Sequence, residues 1–263
     1  MKLRIAFFFI LLMSFTAMAW ADCPHCYYLT AGDQGRMTIV NLDNQTWWQT
    51  PLYGNEYAIA AFPGYENTVG AYANPGGQYD SLGAQIQPLN NVWNGGQWLD
   101  GTTDGKNNYA VDFYGDNGVY KTDTNFNNAQ LLFNVGSGVI GITYAPGNNS
   151  LWLADRYGIP GRITDYDMTG VPLFSFDTGI QFISALAYDG ANNSLWVTTT
   201  LGCGNGTCLY DYDLSGNLIN SFSIPVSDNI IGGEITPGIP EPGTLLLLGT
   251  GTLGLLGAIR RKL

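Results

Sequence analysis

Histidine is almost missing from this chain: His25 is the only one. That leaves no free imidazole for a Ser-His-Asp triad and excludes zinc or copper centres built from several histidines. Basic residues are scarce as well, ten Lys and Arg against 21 Asp and Glu. Half of the basic residues sit at the two ends. Between residues 22 and 238 only Arg36, Lys106, Lys121, Arg156 and Arg162 stand against 20 acids, a net charge near −15. Such a surface disfavours nucleic acid and anionic membrane. Glu and Lys are sparse there, and no segment keeps a helical period. What abounds is Gly, Asn, Asp, Tyr and Thr, the residues of strands and tight turns. About 217 residues are enough to bury one sizeable core.

The two ends read as addresses. Lys2 and Arg4 precede an apolar run over residues 5–13, and Ala19-Trp20-Ala21 supplies small residues where a signal peptidase reads. Residues 1–21 are therefore expected to be a secretory signal peptide, cut before Asp22. At the other end Pro240-Glu241-Pro242 precedes an uncharged run over residues 243–259, and Arg260-Arg261-Lys262 follows it. As a helix that run reaches roughly 25 Å, just short of a hydrocarbon core of about 30 Å. The basic cluster should stay on the cytoplasmic side of the inner membrane. This three-part tail, residues 239–263, resembles the PEP-CTERM sorting signal of Gram-negative bacteria. The resemblance implies processing near the Pro-Glu-Pro by exosortase, a membrane transpeptidase, in a host that makes an extracellular polysaccharide matrix. The competing role is a plain hydrophobic anchor that stays in place.

The body between, residues 22–238, repeats. Asn148-Asn149-Ser150-Leu151-Trp152 returns as Asn192-Asn193-Ser194-Leu195-Trp196, and Gly141-Ile142-Thr143-Tyr144 aligns with Ala185-Leu186-Ala187-Tyr188. Asp43, Asp80, Asp123, Asp167 and Asp213 recur at intervals of 37, 43, 44 and 46 residues. Each ends a strand-prone run and opens a turn that the Asp side chain should cap. In Asp-x-x-Gly the glycine then takes the positive φ that re-enters the sheet. A period near 44 with four short strands predicts an all-β fold, a β-propeller of five four-stranded blades. In the clearest unit the strands, A to D, fall at residues 139–145, 151–155, 162–167 and 171–177. The A strands lie near Tyr57, Trp98, Val139, Ile183 and Ile230. The body starts in B-strand phase and ends in A-strand phase, so residues 230–235 should complete blade one and remove the exposed edges. The weakest unit spans residues 57–90, where Pro75-Gly76-Gly77 shortens a connection. The Gly-His and Trp-Asp pairing of WD40 repeats is missing. In texture the body resembles the YVTN or NHL-type propellers of exported bacterial proteins, a likeness that carries no site residues.

Four cysteines in an exported chain point to disulfides. Cys23 and Cys26 precede strand B of blade one, whereas Cys203 and Cys208 lie in a B–C loop, at the opposite face. Two local bridges, Cys23–Cys26 and Cys203–Cys208, follow. Cys23-Pro24-His25-Cys26 is also a redox motif of thioredoxin-fold oxidants, but no βαβ pattern follows it, and a bridge pinning the terminus is the favoured role.

Trp47, Trp48, Trp93 and Trp98 are candidates for stacking on sugar rings, with core packing as the competing role. Trp152 and Trp196, at repeat positions, are expected in the core. No cofactor is expected. Asp211-Tyr212-Asp213-Leu214-Ser215-Gly216 begins like an EF-hand, but position 12 would be Phe222 and no helices flank it, so a turn cap suffices. An irregular calcium site among loop Asp and Asn stays open, with no residues assigned. Catalysis would have to rest on carboxylates, and no motif singles out a pair. Two readings stand in front. One is a non-enzymatic propeller at the cell surface or in the matrix that recognises extracellular polysaccharide by loops at one face. The other is a glycosidase or lyase on such a polymer, marked by two acids roughly 5–9.5 Å apart in a pocket, one with a raised pKa. A purely architectural surface protein is a third.

Overall fold

Short strand-forming runs separated by self-capped turns pair with their nearest neighbours in sequence, and the chain becomes a ring of small sheets. A computed structural model describes residues 23–71, 74–91, 97–158, 161–201, 203–204 and 206–236. The signal segment, the apolar tail with Pro240, Glu241 and Pro242, and Trp93 lie outside the described residues. Blade one holds β1 (Cys26–Ala31), β2 (Arg36–Asn41) and β3 (Thr46–Pro51). Blade two is β4 (Glu56–Phe62), β5 (Tyr65–Gly70), β6 (Gly76–Asp80) and β7 (Gln85–Leu89). Blade three is β8 (Trp98–Thr103), β9 (Asn108–Asp112), β10 (Gly118–Thr122) and β11 (Gln130–Asn134). Blade four is β12 (Val139–Ala145), β13 (Ser150–Asp155), β14 (Arg162–Asp167) and β15 (Pro172–Asp177). Blade five is β16 (Ile183–Asp189), β17 (Ser194–Thr199), β18 (Thr207–Asp213) and β19 (Leu218–Ile224). The last strand, β20 (Gly232–Ile235), pairs with β1 and gives blade one its fourth strand. All five sheets are antiparallel, in the order A-B-C-D from the axis outward.

Alternation along each inner strand sends side chains to both neighbouring blades. Tyr27 and Leu29 pack against Ala185, Trp196 and Leu209 of blade five, while Tyr28 packs against Ile59 and Tyr79 of blade two. Strand B has two buried faces for this reason. Trp152 and Trp196 sit in the cores between blades, as their repeat positions require. Trp98 joins them: it is buried against Ala110 and Phe126, which removes it as a sugar platform.

The turn aspartates do what their spacing predicts, with one exception. Asp80, Asp123, Asp167 and Asp213 each accept two backbone N–H groups of their own C–D turn, at 2.8–3.0 Å. Asp213 is thus a turn cap, as expected against the EF-hand likeness. Gly83, Gly170 and Gly216 take φ of +80° to +87° behind three of these caps. In blade one the cap belongs to Asn41, whose side chain accepts the Asp43 N–H at 3.0 Å. Asp43 is thereby released for another partner.

That partner is His25. Its Nδ1 lies 2.6 Å from Asp43 and its Nε2 2.9 Å from Asp189 of blade five. The imidazole stands in the Cys23–Cys26 disulfide loop and bridges the seam where the ring closes. Thr236, just past β20, donates its hydroxyl to the Cys26 carbonyl at 3.2 Å and its N–H to the same oxygen at 3.0 Å. The Asp189 hydrogen bond, and then Asp43, raise the His25 pKa from 6.5 to about 9 against the lowering effect of burial. Since the folded pKa exceeds the unfolded one, this stabilisation is complete below pH 6.5 and is lost as pH rises through 9. The exposed Asp43 is screened, so the loss should be on the order of 1 kcal/mol. Denaturant midpoints at pH 6 and pH 9.5 check this: the wild type should lose about 1 kcal/mol more across the interval than His25→Gln, which keeps only the part due to the buried carboxyls Asp100 and Glu234.

Candidate functional site

Five inner strands leave five unpaired backbone edges around the axis, and buried N–H groups there need acceptors. Asp100 on β8 supplies them. Its Oδ1 accepts Gly233 N–H at 2.8 Å and Gly101 N–H at 3.0 Å; its Oδ2 accepts Ile142 N–H at 3.0 Å and Leu186 N–H at 3.2 Å. One carboxyl thus ties blades one, four and five to blade three. It is fully buried, and burial pushes its pKa well up against the pull of the four N–H groups. The backbones crowd here: a Cβ on Gly232 would stand 2.5 Å from the Tyr57 carbonyl and 2.6 Å from that of Leu99. Two recesses open along the axis, one on each side of this knot.

The first lies at the face of the D–A and B–C loops, where a recess of about 120 Å³ is lined by Asp33, Tyr57, Phe113, Tyr114, Arg156 and Tyr157 among others. Asp112 and Asp155 end the B strands of blades three and four and accept loop N–H groups at 2.9 Å, from Gly115 and from Gly158. Each cap turns the chain so that the tyrosine between projects into solvent; Tyr114 is 67% and Tyr157 58% exposed. Phe113 sits between them, with ring centroids 4.7 Å from Tyr114 and 5.9 Å from Tyr157. The Arg156 guanidinium lies 6.0 Å from the Tyr157 centroid, and its Nη1 is buried without a hydrogen-bond partner among the described residues. Opposite, Asp33 accepts the Tyr57 hydroxyl and, at 3.3 Å, the Asn229 amide. Aromatic faces, a guanidinium donor and carboxylate and amide acceptors meet at one mouth, a set suited to a polyhydroxylated ring.

Trp47 and Trp48 lie away from this mouth. Both are on β3, the outermost strand of blade one; Trp47 is 38% exposed, and Trp48 is partly buried and donates to the Leu82 carbonyl at 3.1 Å. The tyrosines were readable by a signal of the same kind as the other repeats: Asp112-Phe113-Tyr114-Gly115 returns as Asp155-Arg156-Tyr157-Gly158. Both disulfides are formed, Cys23–Cys26 and Cys203–Cys208, and no free cysteine occurs among the described residues. No cluster of three or more His, Cys, Asp or Glu among the described residues is placed to hold a metal ion.

Residues 238–262 match the PEP-CTERM protein-sorting motif. The chain therefore carries the signal of an exported protein that passes through the membrane to exosortase, with a five-bladed β-propeller as its body. The match covers the tail and is silent on whether the blades are of YVTN or NHL type. No curated protein matches the chain by sequence. Among solved structures, a chain of a nidogen/laminin complex is similar over 81% of this chain and 98% of its own, at 12% identity and a TM-score of 0.53. A protein of unknown function from Bacteroides caccae is 15% identical over 76% of this chain and 58% of its own, with a TM-score of 0.29. A chain of a mitotic checkpoint complex is 16% identical over 77% and 63%, with a TM-score of 0.42. The first of these likenesses is one of fold alone.

Proposed function

We propose that this exported propeller is a non-enzymatic module of the cell surface or matrix that binds extracellular polysaccharide at the mouth formed by Tyr114, Tyr157 and Arg156. The observation that carries the reading is the pair of exposed tyrosines on equivalent loops beside a guanidinium with an unused N–H. Two rings supply stacking faces at little entropic cost, since their loops are already capped and their packing on Phe113 is already made. On this reading residues 1–21 are removed by signal peptidase, residues 22–238 form the displayed domain, and residues 239–263 hold it briefly in the inner membrane.

A hydrolase would need two acids at one pocket in different states. On the opposite face Glu234 and Asp104 line one cavity. Burial pushes Glu234 well up. Against burial, Asn107 and Tyr109 hold Asp104 below its usual range. Yet Asp104 is used up by its own turn: it accepts Lys106 N–H and Asn107 N–H at 2.7 Å each, the Asn107 amide at 3.0 Å and the Tyr109 hydroxyl at 2.7 Å. A carboxylate so engaged makes a poor nucleophile or base. Mixing the purified body with the producing cell's polysaccharide, and following co-sedimentation together with new reducing ends, decides between the readings. Binding without new ends is expected; release of ends would make the protein an enzyme.

A further inference from the structure

The cavity on the face of the A–B and C–D turns has a composition unlike that of the mouth. It measures about 400 Å³ and is lined by Thr102, Asp104, Tyr144, Tyr188 and Glu234 with an apolar rim that includes Pro63 and Pro146. No Lys, Arg or His among the described residues lines it. Glu234, on the closing strand β20, is 5% exposed. Its Oε1 accepts the Ile235 N–H at 3.1 Å, the hydroxyls of Thr102 and Thr143 act on the carboxyl from the neighbouring inner strands, and its Oε2 is buried without a full-geometry hydrogen bond among the described residues. Native proteins rarely leave such an atom unused, and a ligand is one of the standard reasons. Tyr144 and Tyr188 occupy equivalent repeat positions. Their backbone N–H groups are fixed by the hydroxyls of Thr102 and Thr143, at 3.0 and 2.8 Å, so both rings are held at the cavity.

We propose that this cavity binds a primary ammonium group, with Glu234 as its counter-ion and the rings of Tyr144 and Tyr188 along its flanks. The chemistry follows from the lining. A cation gains from the carboxylate and from the ring faces, and a body near −15 draws cations towards it. A hard metal ion would demand six or more oxygens, and those of Asp104 are committed to its turn. The apolar rim fits the carbon frame of an organic amine instead. The titratable groups around Glu234 are Asp100, Asp104, Tyr27, Tyr144 and Tyr188, none of them a cation. Burial raises the Glu234 pKa well above the usual carboxylate range against the pull of the Thr102 hydroxyl, and the Asp100 charge adds to the rise. An ammonium group favours the ionised carboxylate, so where the carboxyl holds a proton, entry of R–NH3+ releases it to solvent and leaves an R–NH3+/carboxylate pair.

Titration calorimetry tests the site with glucosamine, N-acetylglucosamine and 1,4-diaminobutane, each up to about 10 mM. At least one of the two amines should bind, and the acetylated sugar, which lacks the charge, should not. Binding of glucosamine alone would identify an amino sugar as the source of the ammonium, and binding of the diamine alone a free amine. Glu234→Gln, which copies the protonated carboxyl in shape, should weaken binding at least tenfold while the far-ultraviolet circular dichroism stays unchanged. Should that variant fail to fold, Tyr188→Leu carries the test, with several-fold weaker binding expected. Absence of binding by both amines, equal binding of the acetylated sugar, or full affinity in the folded variant would overturn the proposal.

Discussion

Replacing Asp100 by Ala should cost roughly 3 kcal/mol or more, the largest effect expected of any single substitution in this ring. Four backbone N–H groups lose their acceptor at once, three of them on other blades. Each buried donor left unsatisfied costs about 1–3 kcal/mol, and water entering the vacated space recovers part of the sum. For a domain of this size each kcal/mol lowers the melting temperature by about 2–4 °C, so a fall of about 10 °C is expected. Asp100→Asn keeps one acceptor oxygen and should fall between. Calorimetric scans of the three proteins report the order; an Asp100→Ala variant that melts with the wild type would mean that the axial carboxyl ties nothing together.

Ending the chain at Asn229 should abolish the folded monomer altogether. The truncation removes Ile230, Ile231 and Ile235, which are 0%, 8% and 2% exposed, and with them the β20 ladder to β1. Burying an aliphatic side chain of this size is worth about 1.5–3 kcal/mol, so three account for roughly 5–9 kcal/mol before any hydrogen bond is counted. That is comparable to the whole net stability of an ordinary domain, about 5–15 kcal/mol. It also bares the β1 edge, on which another chain can pair. Loss of the cooperative thermal transition and appearance of aggregates in size-exclusion chromatography are expected. A monomeric, cooperatively melting truncated chain would show that ring closure is dispensable.

Both effects originate in features of very different legibility. Ring closure was readable, because the chain starts in B phase and ends in A phase; β20 proved shorter than the run suggests, four residues from Gly232, with Ile231 adding one further bond, N–H to the Thr30 carbonyl at 3.0 Å, while Ile230 packs with Tyr27 and Ile231 with Tyr57 and Leu99. The strands of blade four were readable to within a residue, and blade five was readable as its repeat, because both carry Asn-Asn-Ser-Leu-Trp and cap their turns with the same Asp. Blade two was faint for a physical reason: part of its ladder rests on side chains. Asn91 accepts the Gly76 N–H at 2.8 Å and donates to the Thr68 carbonyl at 2.7 Å, and a buried Glu56 takes the Tyr79 hydroxyl at 2.8 Å and that of Thr68. Such contacts bridge distant positions and leave no local pattern.

Asp100 was not readable at all. An Asp before Gly looks like one more turn, and only the convergence of five strand edges makes it a knot. His25 hid likewise, because its partners lie 18 and 164 positions away. At the mouth, Tyr114 and Tyr157 recur in register, but a search for sugar platforms weighted to tryptophan passes over them.

The most direct test of the binding account compares three proteins for retention on the producing cell's polysaccharide: wild type, Tyr114→Ala/Tyr157→Ala and Trp47→Ala. The account predicts at least tenfold weaker binding for the double variant, as expected for two aromatic anchors, and a change within about twofold for Trp47→Ala. A double variant that binds like the wild type, or a Trp47→Ala protein that alone fails to bind, would move the site from the axial mouth to the outer strand and contradict it.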